Sequence, residues 1–158
     1  MSDSTPRPTA SLRLGDQLCF ALYAATNSIT RAYRAPLAAL GLTYPQYLAM
    51  LVLWESGAQS VKSMAGHLDL DSSTLTPLLK RLEASGLIRR ERDRFDERNL
   101  RIELTNAGHA LRKPVERVQA GIACQTNLGG AEFTLLRAQL HTLTKVMAQQ
   151  PCEAAEES

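Results

Sequence analysis

Apolar side chains recur every three or four positions along most of this chain and alternate strictly in one short stretch. Leu18, Leu22, Ala25, Ile29 and Tyr33 trace one helical stripe, which predicts a first helix from about Leu14 to Leu40, ended by Gly41. A second helix opens at Thr43: Thr43 and Gln46 fit a capping box, and Pro45 falls in the first turn, where its missing N–H does no harm. Its apolar body, Tyr47 to Trp54, stops before Gly57. A third helix begins at Ser60, with Val61, Met64, Ala65 and Leu68 inward. A fourth begins at Asp71, carries Leu75, Leu78, Leu79 and Leu82, and is followed by Gly86 as its C′ residue. Pro77 inside the fourth helix removes a backbone bond and crowds the Ser73 carbonyl, which predicts a local bend.

The period then drops to two. Leu100-Arg101-Ile102-Glu103-Leu104 alternates as a half-buried strand does, and Leu87 to Arg92 precedes it as a partner, with Asp93 to Asn99 as the hairpin tip. Thr105 caps a fifth helix striped by Ala107, Leu111, Val115, Val118 and Ile122 and bent at Pro114. After Gly129-Gly130 comes a sixth, striped by Phe133, Leu136, Leu140, Leu143 and Met147.

Three helices followed by a hairpin make a winged helix-turn-helix. The fold class is therefore mainly α: a winged helix-turn-helix at 43–105, with additional N- and C-terminal dimerisation helices at 12–41 and 106–148. The polar ends, 1–10 and 149–158, are expected to be disordered. The first, fifth and sixth helices have no place inside the small winged unit. Their stripes need another surface, and a second copy of the chain is the simplest one, so an obligate homodimer is expected.

Composition narrows the partners. The 158 residues suffice for one domain with a real core. No apolar run spans a membrane, and the first ten residues lack the apolar stretch of a signal peptide, which points to a cytoplasmic protein with no membrane partner. Three cysteines make no disulfide framework, and Cys19, Cys124 and Cys152 include no CxxC pair and no nearby histidine ligands, so neither a metal nor a cofactor is expected. His67, His109 and His141 are scattered and carry no assigned chemistry. The net charge is only +2, so a nucleic-acid reading must rest on where the arginines lie.

The second helix of a helix-turn-helix enters the major groove with its N-terminal residues foremost. Here these are Ser72, Ser73, Thr74 and Thr76, small hydroxyls suited to base edges or phosphates, with Lys80 and Arg81 placed for backbone phosphates. The hairpin offers Arg94, Arg98 and Arg101; arginine on a thin wing enters a minor groove and reads its width, and Asp96 is placed to hold Arg98. Glu91, Asp93, Asp96 and Glu97 offset much of that charge. The alternative for the hairpin alone is a solvated loop with surface ion pairs.

The block from Ser60 to Thr105 resembles the MarR family of dimeric winged-helix regulators, with Asp96-Glu97-Arg98 and Leu104-Thr105 in place of that family's Asp-x-Arg and Leu-Thr signature. Leu18-Cys19-Phe20-Ala21-Leu22-Tyr23, Leu42-Thr43-Tyr44-Pro45-Gln46-Tyr47-Leu48 and the run from Leu70 to Glu83 resemble more narrowly the organic-hydroperoxide-responsive branch, OhrR. The resemblance covers roughly residues 12 to 148. It implies a repressor that binds an inverted-repeat operator in double-stranded DNA as a reduced dimer and releases it when organic hydroperoxide, the inducer, oxidises Cys19.

The residues themselves say part of this. Cys19 lies near a helix start, where the helix dipole favours thiolate, the form that attacks peroxide. Four tyrosines, Tyr23, Tyr33, Tyr44 and Tyr47, are available as hydroxyl donors, and the resemblance points to Tyr33 and Tyr44. Tyr33 lies fourteen residues beyond Cys19, about 21 Å along a straight helix, so it reaches a sulfur only from the other subunit. A sulfenic acid on Cys19 would condense with a second thiol. Cys124 is the candidate, and the resemblance to two-cysteine members implies a bond between subunits, Cys19 to Cys124. Leu18, Phe20 and Leu22 give the thiol apolar neighbours; the preference for fatty or aromatic hydroperoxides is implied by the resemblance alone. Cys152 has no fixed role.

Three alternatives stand beside this. Cys19 is plain core, since unpaired cysteine is among the most buried residue types; the chain is a MarR-type regulator controlled by a non-covalent phenolic or other small ligand; or it is a thiol peroxidase, an enzyme, for which no recycling cysteine pair is present.

Overall fold

The first helix starts later than its apolar spacing predicts. Leu14–Asp16 form a single 3-10 turn, Gln17 is extended, and α1 runs Leu18–Ala38. Gly15 and Asp16 are weak helix formers, and their low propensity outweighs the stripe at that end. The remaining helices are α2 (Tyr44–Ser56), α3 (Val61–Leu68), α4 (Ser72–Ala84), α5 (Asn106–Ala110), α6 (Arg112–Gln125) and α7 (Gly130–Gln149). The sheet contains β1 (Gln59–Ser60), β2 (Ile88–Arg92) and β3 (Leu100–Leu104). This is a computed structural model describing residues 12–92 and 100–149. The ends expected to be disordered, except Gln149, and the hairpin tip with Arg94, Asp96 and Arg98 lie outside the described residues, as does Cys152.

Local chemistry explains most boundaries. The capping box at α2 is present, with the Thr43 N–H donating to Gln46 Oε1 at 2.8 Å. Ser60 caps α3 through Ser63 N–H at 3.1 Å, and Thr105 caps α5 through Gly108 N–H at 3.1 Å. Gly86 follows α4 with φ +72°, a conformation that costs glycine nothing and a side-chain-bearing residue a steric clash. The hairpin pairs in the expected antiparallel register, Ile88 with Leu104 through Arg92 with Leu100.

Two features differ from the sequence reading. The sheet has a third strand, β1, which pairs antiparallel with β3 to give the order β1-β3-β2. The single fifth helix is two: α5 ends at Ala110 and α6 begins at Arg112. Pro114 is the cause, since its ring crowds the carbonyl four residues back, at Ala110. Two prolines, by contrast, lie within continuous helices, Pro36 in α1 and Pro77 in α4. At Pro77 the carbonyl that loses its donor belongs to Ser73, on an exposed turn where water can replace it.

The core joins α1 to α2, α2 to α3 and α4, α4 to β2, and α5 to β3. Leu37, Met50, Leu53, Met64, Leu75, Leu79, Leu82, Ile88 and Ile102 are fully buried there. The chain divides into two units, Met1–Gln119 and Ala120–Ser158, with the boundary inside α6. In the second unit α7 has no buried residue: Phe133, Leu136, Leu140 and Met147 are exposed and Leu143 is half-buried. No helix among the described residues is long and apolar enough to cross a membrane.

Candidate functional site

Two arrangements stand out in the first unit. One is the helix-turn-helix. The turn between α3 and α4 is made by Asp69, whose φ of +53° is left-handed, and by Leu70, whose N–H returns to the Ala65 carbonyl at 3.0 Å. Asp71 occupies the N-cap of α4, and its carbonyl accepts from Thr74 and Leu75, but its side chain makes no capping bond. Ser72, Ser73 and Thr74 are exposed on the first turn, and Lys80 and Arg81 are exposed beyond it. Thr76 is half-buried, and its hydroxyl donates to the Ser72 carbonyl at 2.7 Å, which leaves it only acceptor capacity.

The base of the hairpin is held by ion pairs that the spacing does not announce. Glu83 of α4 accepts from Arg90 Nε at 2.6 Å and, through its other oxygen, from the Arg90 backbone N–H at 3.2 Å. Arg90 lies on β2, an edge strand, so one carboxylate both pairs a guanidinium and covers an edge N–H. The bond to Arg90 holds the Glu83 carboxyl below the usual carboxylate range. Arg101 lies within β3, not at the tip, and its Nε donates to Glu103 at 2.7 Å. Glu103 also accepts from Arg89 at 2.8 Å, and these two bonds, Arg89 first, hold its carboxyl low. Arg101 is thus paired with a carboxylate on its own strand of the wing. The sequence reading missed Glu83 and Glu103; alternation did put Glu103 and Arg101 on one face of the strand.

The second arrangement spans α1. Cys19 is the second residue of the helix, exposed, with Leu14, Leu18, Phe20 and Tyr23 exposed around it. It is therefore not core within this chain. Tyr33 lies on the same unbroken helix, three turns and more away, so the separation of about 21 Å stands. At that far end three phenols gather. Tyr33 and Tyr47 stack with centroids 5.2 Å apart and planes at 25°. Tyr44 lies across both, at 5.4 Å from Tyr33 and 5.8 Å from Tyr47. Tyr33 and Tyr47 are buried and Tyr44 half-buried. Burial first, and then the neighbouring Tyr33, push the Tyr44 phenol upward; burial and a hydrogen bond with Tyr33 push Tyr47 further. The sequence reading paired Tyr33 with Tyr44 and left Tyr47 as one candidate among four. The signal was available, since Tyr44 and Tyr47 are three apart on a helix and share a face.

In the second unit Cys124 is exposed in the last turn of α6. A cavity of about 640 Å³, lined by Leu53, Gly57, Ala58, Arg89, Glu103, Leu104, Thr105, Asn106 and His109, opens between the end of α2, the sheet and α5. Among the described residues no group of three or more His, Cys, Asp and Glu side chains is placed to hold a metal.

The chain is similar to known proteins. The family model described as "Transcriptional regulator SarA/Rot" matches residues 31–113. The chain is 42% identical to the organic hydroperoxide resistance transcriptional regulator of Bacillus subtilis, over 88% of this chain and 95% of that one. It is 61% identical over 99 residues to the HTH-type transcriptional regulator TtmR of Methylorubrum extorquens; that match covers 63% of this chain and only about half, 51%, of TtmR. Among solved structures it is similar to reduced AbfR bound to DNA, at 39% identity with a TM-score of 0.71, covering 87% of this chain and 96% of that one. Disulfide-formed AbfR matches at 36% identity with a TM-score of 0.64, covering 88% and 94%. The chain belongs to the MarR family of winged-helix transcriptional regulators, in the OhrR branch, and not to a family of enzymes.

Proposed function

We propose that this protein is a cytoplasmic, homodimeric repressor that binds an inverted-repeat operator when reduced and lets go when an organic hydroperoxide oxidises Cys19. The observation that carries the reading is the placement of an exposed thiol and a phenol cluster at opposite ends of one helix. No protomer can bring its own Tyr33 to its own Cys19. Two copies related by a two-fold axis, with antiparallel α1 helices, satisfy both ends at once, because a two-fold contact is self-complementary. The uncovered apolar side chains support the same partner: Leu18 and Tyr23 are 61% and 65% exposed, and Met147 on α7 is 71% exposed. Large apolar side chains left uncovered on α1, and separately on α7, are candidates for an association face.

In the DNA-reading half, Ser72, Ser73, Thr74 and Thr76 would face the major groove, Lys80 and Arg81 the phosphates, and the wing arginines Arg94, Arg98 and Arg101 the minor groove, with Asp96, two residues before Arg98 in sequence, as the carboxylate to hold it. Similarity to AbfR in its DNA-bound form supports this half.

In the thiol half, the Cys19 thiolate attacks the distal peroxide oxygen. The O–O bond breaks, the alcohol leaves as alkoxide and takes a proton, and Cys19 becomes sulfenic acid. The Cys124 thiol of the mate then attacks that sulfur, water leaves, and an intersubunit disulfide forms. Similarity to AbfR in disulfide form supports this step. Two recognition helices must match half-sites about 34–36 Å apart, so a bond that rotates the protomers spoils the fit.

The test is operator binding by the reduced protein before and after one equivalent of cumene hydroperoxide, then after dithiothreitol. Loss and recovery of binding are expected; binding that survives oxidation overturns the reading. On a non-reducing gel the oxidised protein should run as a covalent dimer, and Cys124→Ser should abolish that band. A mixed disulfide between Cys19 and an added small thiol, with no covalent dimer, would mean that Cys124 is not the resolving thiol. The second reading, a regulator released by a non-covalent phenolic ligand, is favoured by the cavity beside α5, whose volume lies in the range of small-molecule sites.

A further inference from the structure

We propose that Glu103 limits the affinity of the wing for DNA: its carboxylate holds the Arg101 guanidinium, which otherwise would meet a phosphate. The inference rests on the DNA-reading half of the proposed function and adds to it a residue that works against binding.

Alternation along β3 sorts its side chains between two faces. Ile102 is fully buried, so Arg101 and Glu103 share the opposite, outward face. The register with β2 sets Arg89 across from Glu103 and Glu91 across from Arg101. Two arginines and two glutamates therefore meet on one face, and their formal charges cancel. Glu103 is the shared member. Its Oε1 accepts from Arg101 Nε at 2.7 Å, and its Oε2 accepts from Arg89 Nη2 at 2.8 Å and Nε at 3.2 Å. Arg89 has a second carboxylate, Glu91, at 3.2 Å. Among the described residues, Glu103 is the one carboxylate that pairs with Arg101.

The side chains of Arg101 and Glu103 are 51% and 23% exposed, so the pair meets water. An ion pair in such surroundings is weak, of the same order as one solvated contact between a guanidinium and a phosphate. Moving Arg101 from Glu103 to a phosphate therefore exchanges one contact for another and gains little. Without the carboxylate, the same move is a net gain. Salt gives a second mark. A cation that neutralises a phosphate releases a counterion from DNA, which is why such binding falls as salt rises. An Arg101 that arrives by leaving Glu103 bare lets that carboxylate draw a counterion back, and part of the release is cancelled. The bonds from Arg89 and Arg101 hold the Glu103 carboxyl below the usual carboxylate range, so it is charged at neutral pH.

The experiment is a titration of a fluorescent random-sequence duplex with the full-length reduced protein across a series of salt concentrations. It needs no operator, because the phosphate term is independent of sequence. In a two-fold dimer, Glu103→Gln should bind about tenfold tighter at low salt, roughly threefold for each protomer. Its slope of log affinity against log salt should steepen by about two. Adding Arg101→Gln to Glu103→Gln should remove the gain. Glu91→Gln deletes the same charge from the same face but leaves the Arg101–Glu103 pair intact, and should change affinity less than about twofold. Unchanged or weaker binding by Glu103→Gln overturns the proposal; weaker binding would mean that Glu103 presents Arg101 to DNA instead of withholding it. Equal tightening by Glu91→Gln overturns it too, since net charge alone would then suffice, and so does a gain that survives Arg101→Gln. Loss of fold cannot imitate the expected result, because loosening does not tighten binding. If neither the unaltered protein nor Glu103→Gln binds the duplex at low salt, the DNA-reading half has failed and this proposal with it.

Discussion

Cys19→Ser is expected to bind operator DNA like the unaltered protein and to stay bound when cumene hydroperoxide is added in excess. The substitution exchanges sulfur for oxygen at an exposed position in the first turn of α1, where serine is well tolerated, so neither fold nor reading surface should change. What is lost is the chemistry. A serine hydroxyl does not ionise in this range and does not form a sulfenic acid. For the unaltered protein, oxidation should weaken operator binding by about a hundredfold or more, toward non-specific binding. For the variant, the change should be less than about twofold, an ordinary experimental spread. Titration of a fluorescent operator with and without peroxide reads both. Full release of the variant would remove the thiol as trigger and leave the non-covalent ligand reading in its place.

Gly108→Ala is expected to destabilise the protein by roughly 3 kcal/mol or more, at the upper end of overpacking effects. A β-carbon at Gly108 would overlap the Leu87 carbonyl oxygen and lie 3.1 Å from Leu104 Cδ2. The backbone has no room to yield. Gly108 O accepts from Trp54 Nε1 at 3.0 Å, and Gly108 N–H donates to Thr105 Oγ1. Thr105 in turn donates to Gly86 O at 2.6 Å through its hydroxyl and to Leu87 O at 3.1 Å through its N–H. In a chain of this size the loss corresponds to a melting temperature lower by roughly 6–12 °C. Gly121→Ala is the control: nothing lies within 4 Å of its added carbon, and removing a helical glycine should be neutral or stabilising by up to about 1 kcal/mol. Equal melting of the two variants would contradict the close approach at Leu87.

How much of this could be read along the chain follows from how local each signal is. Thr43 with Gln46, Ser60, Thr105 and the alternation from Leu100 to Leu104 are written within a few residues of what they specify, and each is found where the pattern places it. Gln59 and Ser60 form a strand only because β3 lies alongside; two residues have no period to detect. Pro114 was legible as a disturbance, but the break appears upstream of it, since proline acts on the carbonyl behind it. At the candidate site, Cys19 and the tyrosines were legible as residue types, and Tyr33 and Tyr44 do come together. The Glu83–Arg90 contact was not, because it joins a helix to a strand across a turn and leaves no repeat in the sequence.

That contact has a consequence for engineering. Besides the core contacts between α4 and β2, one carboxylate ties the helix to an edge strand of the wing, so the two parts that would touch DNA are coupled. Recognition should therefore be transplantable between relatives only as a cassette, helix and hairpin together. A chimera that imports α4 with a different residue at position 83, while keeping Arg90, would leave that guanidinium without this partner and loosen one of the contacts between wing and helix.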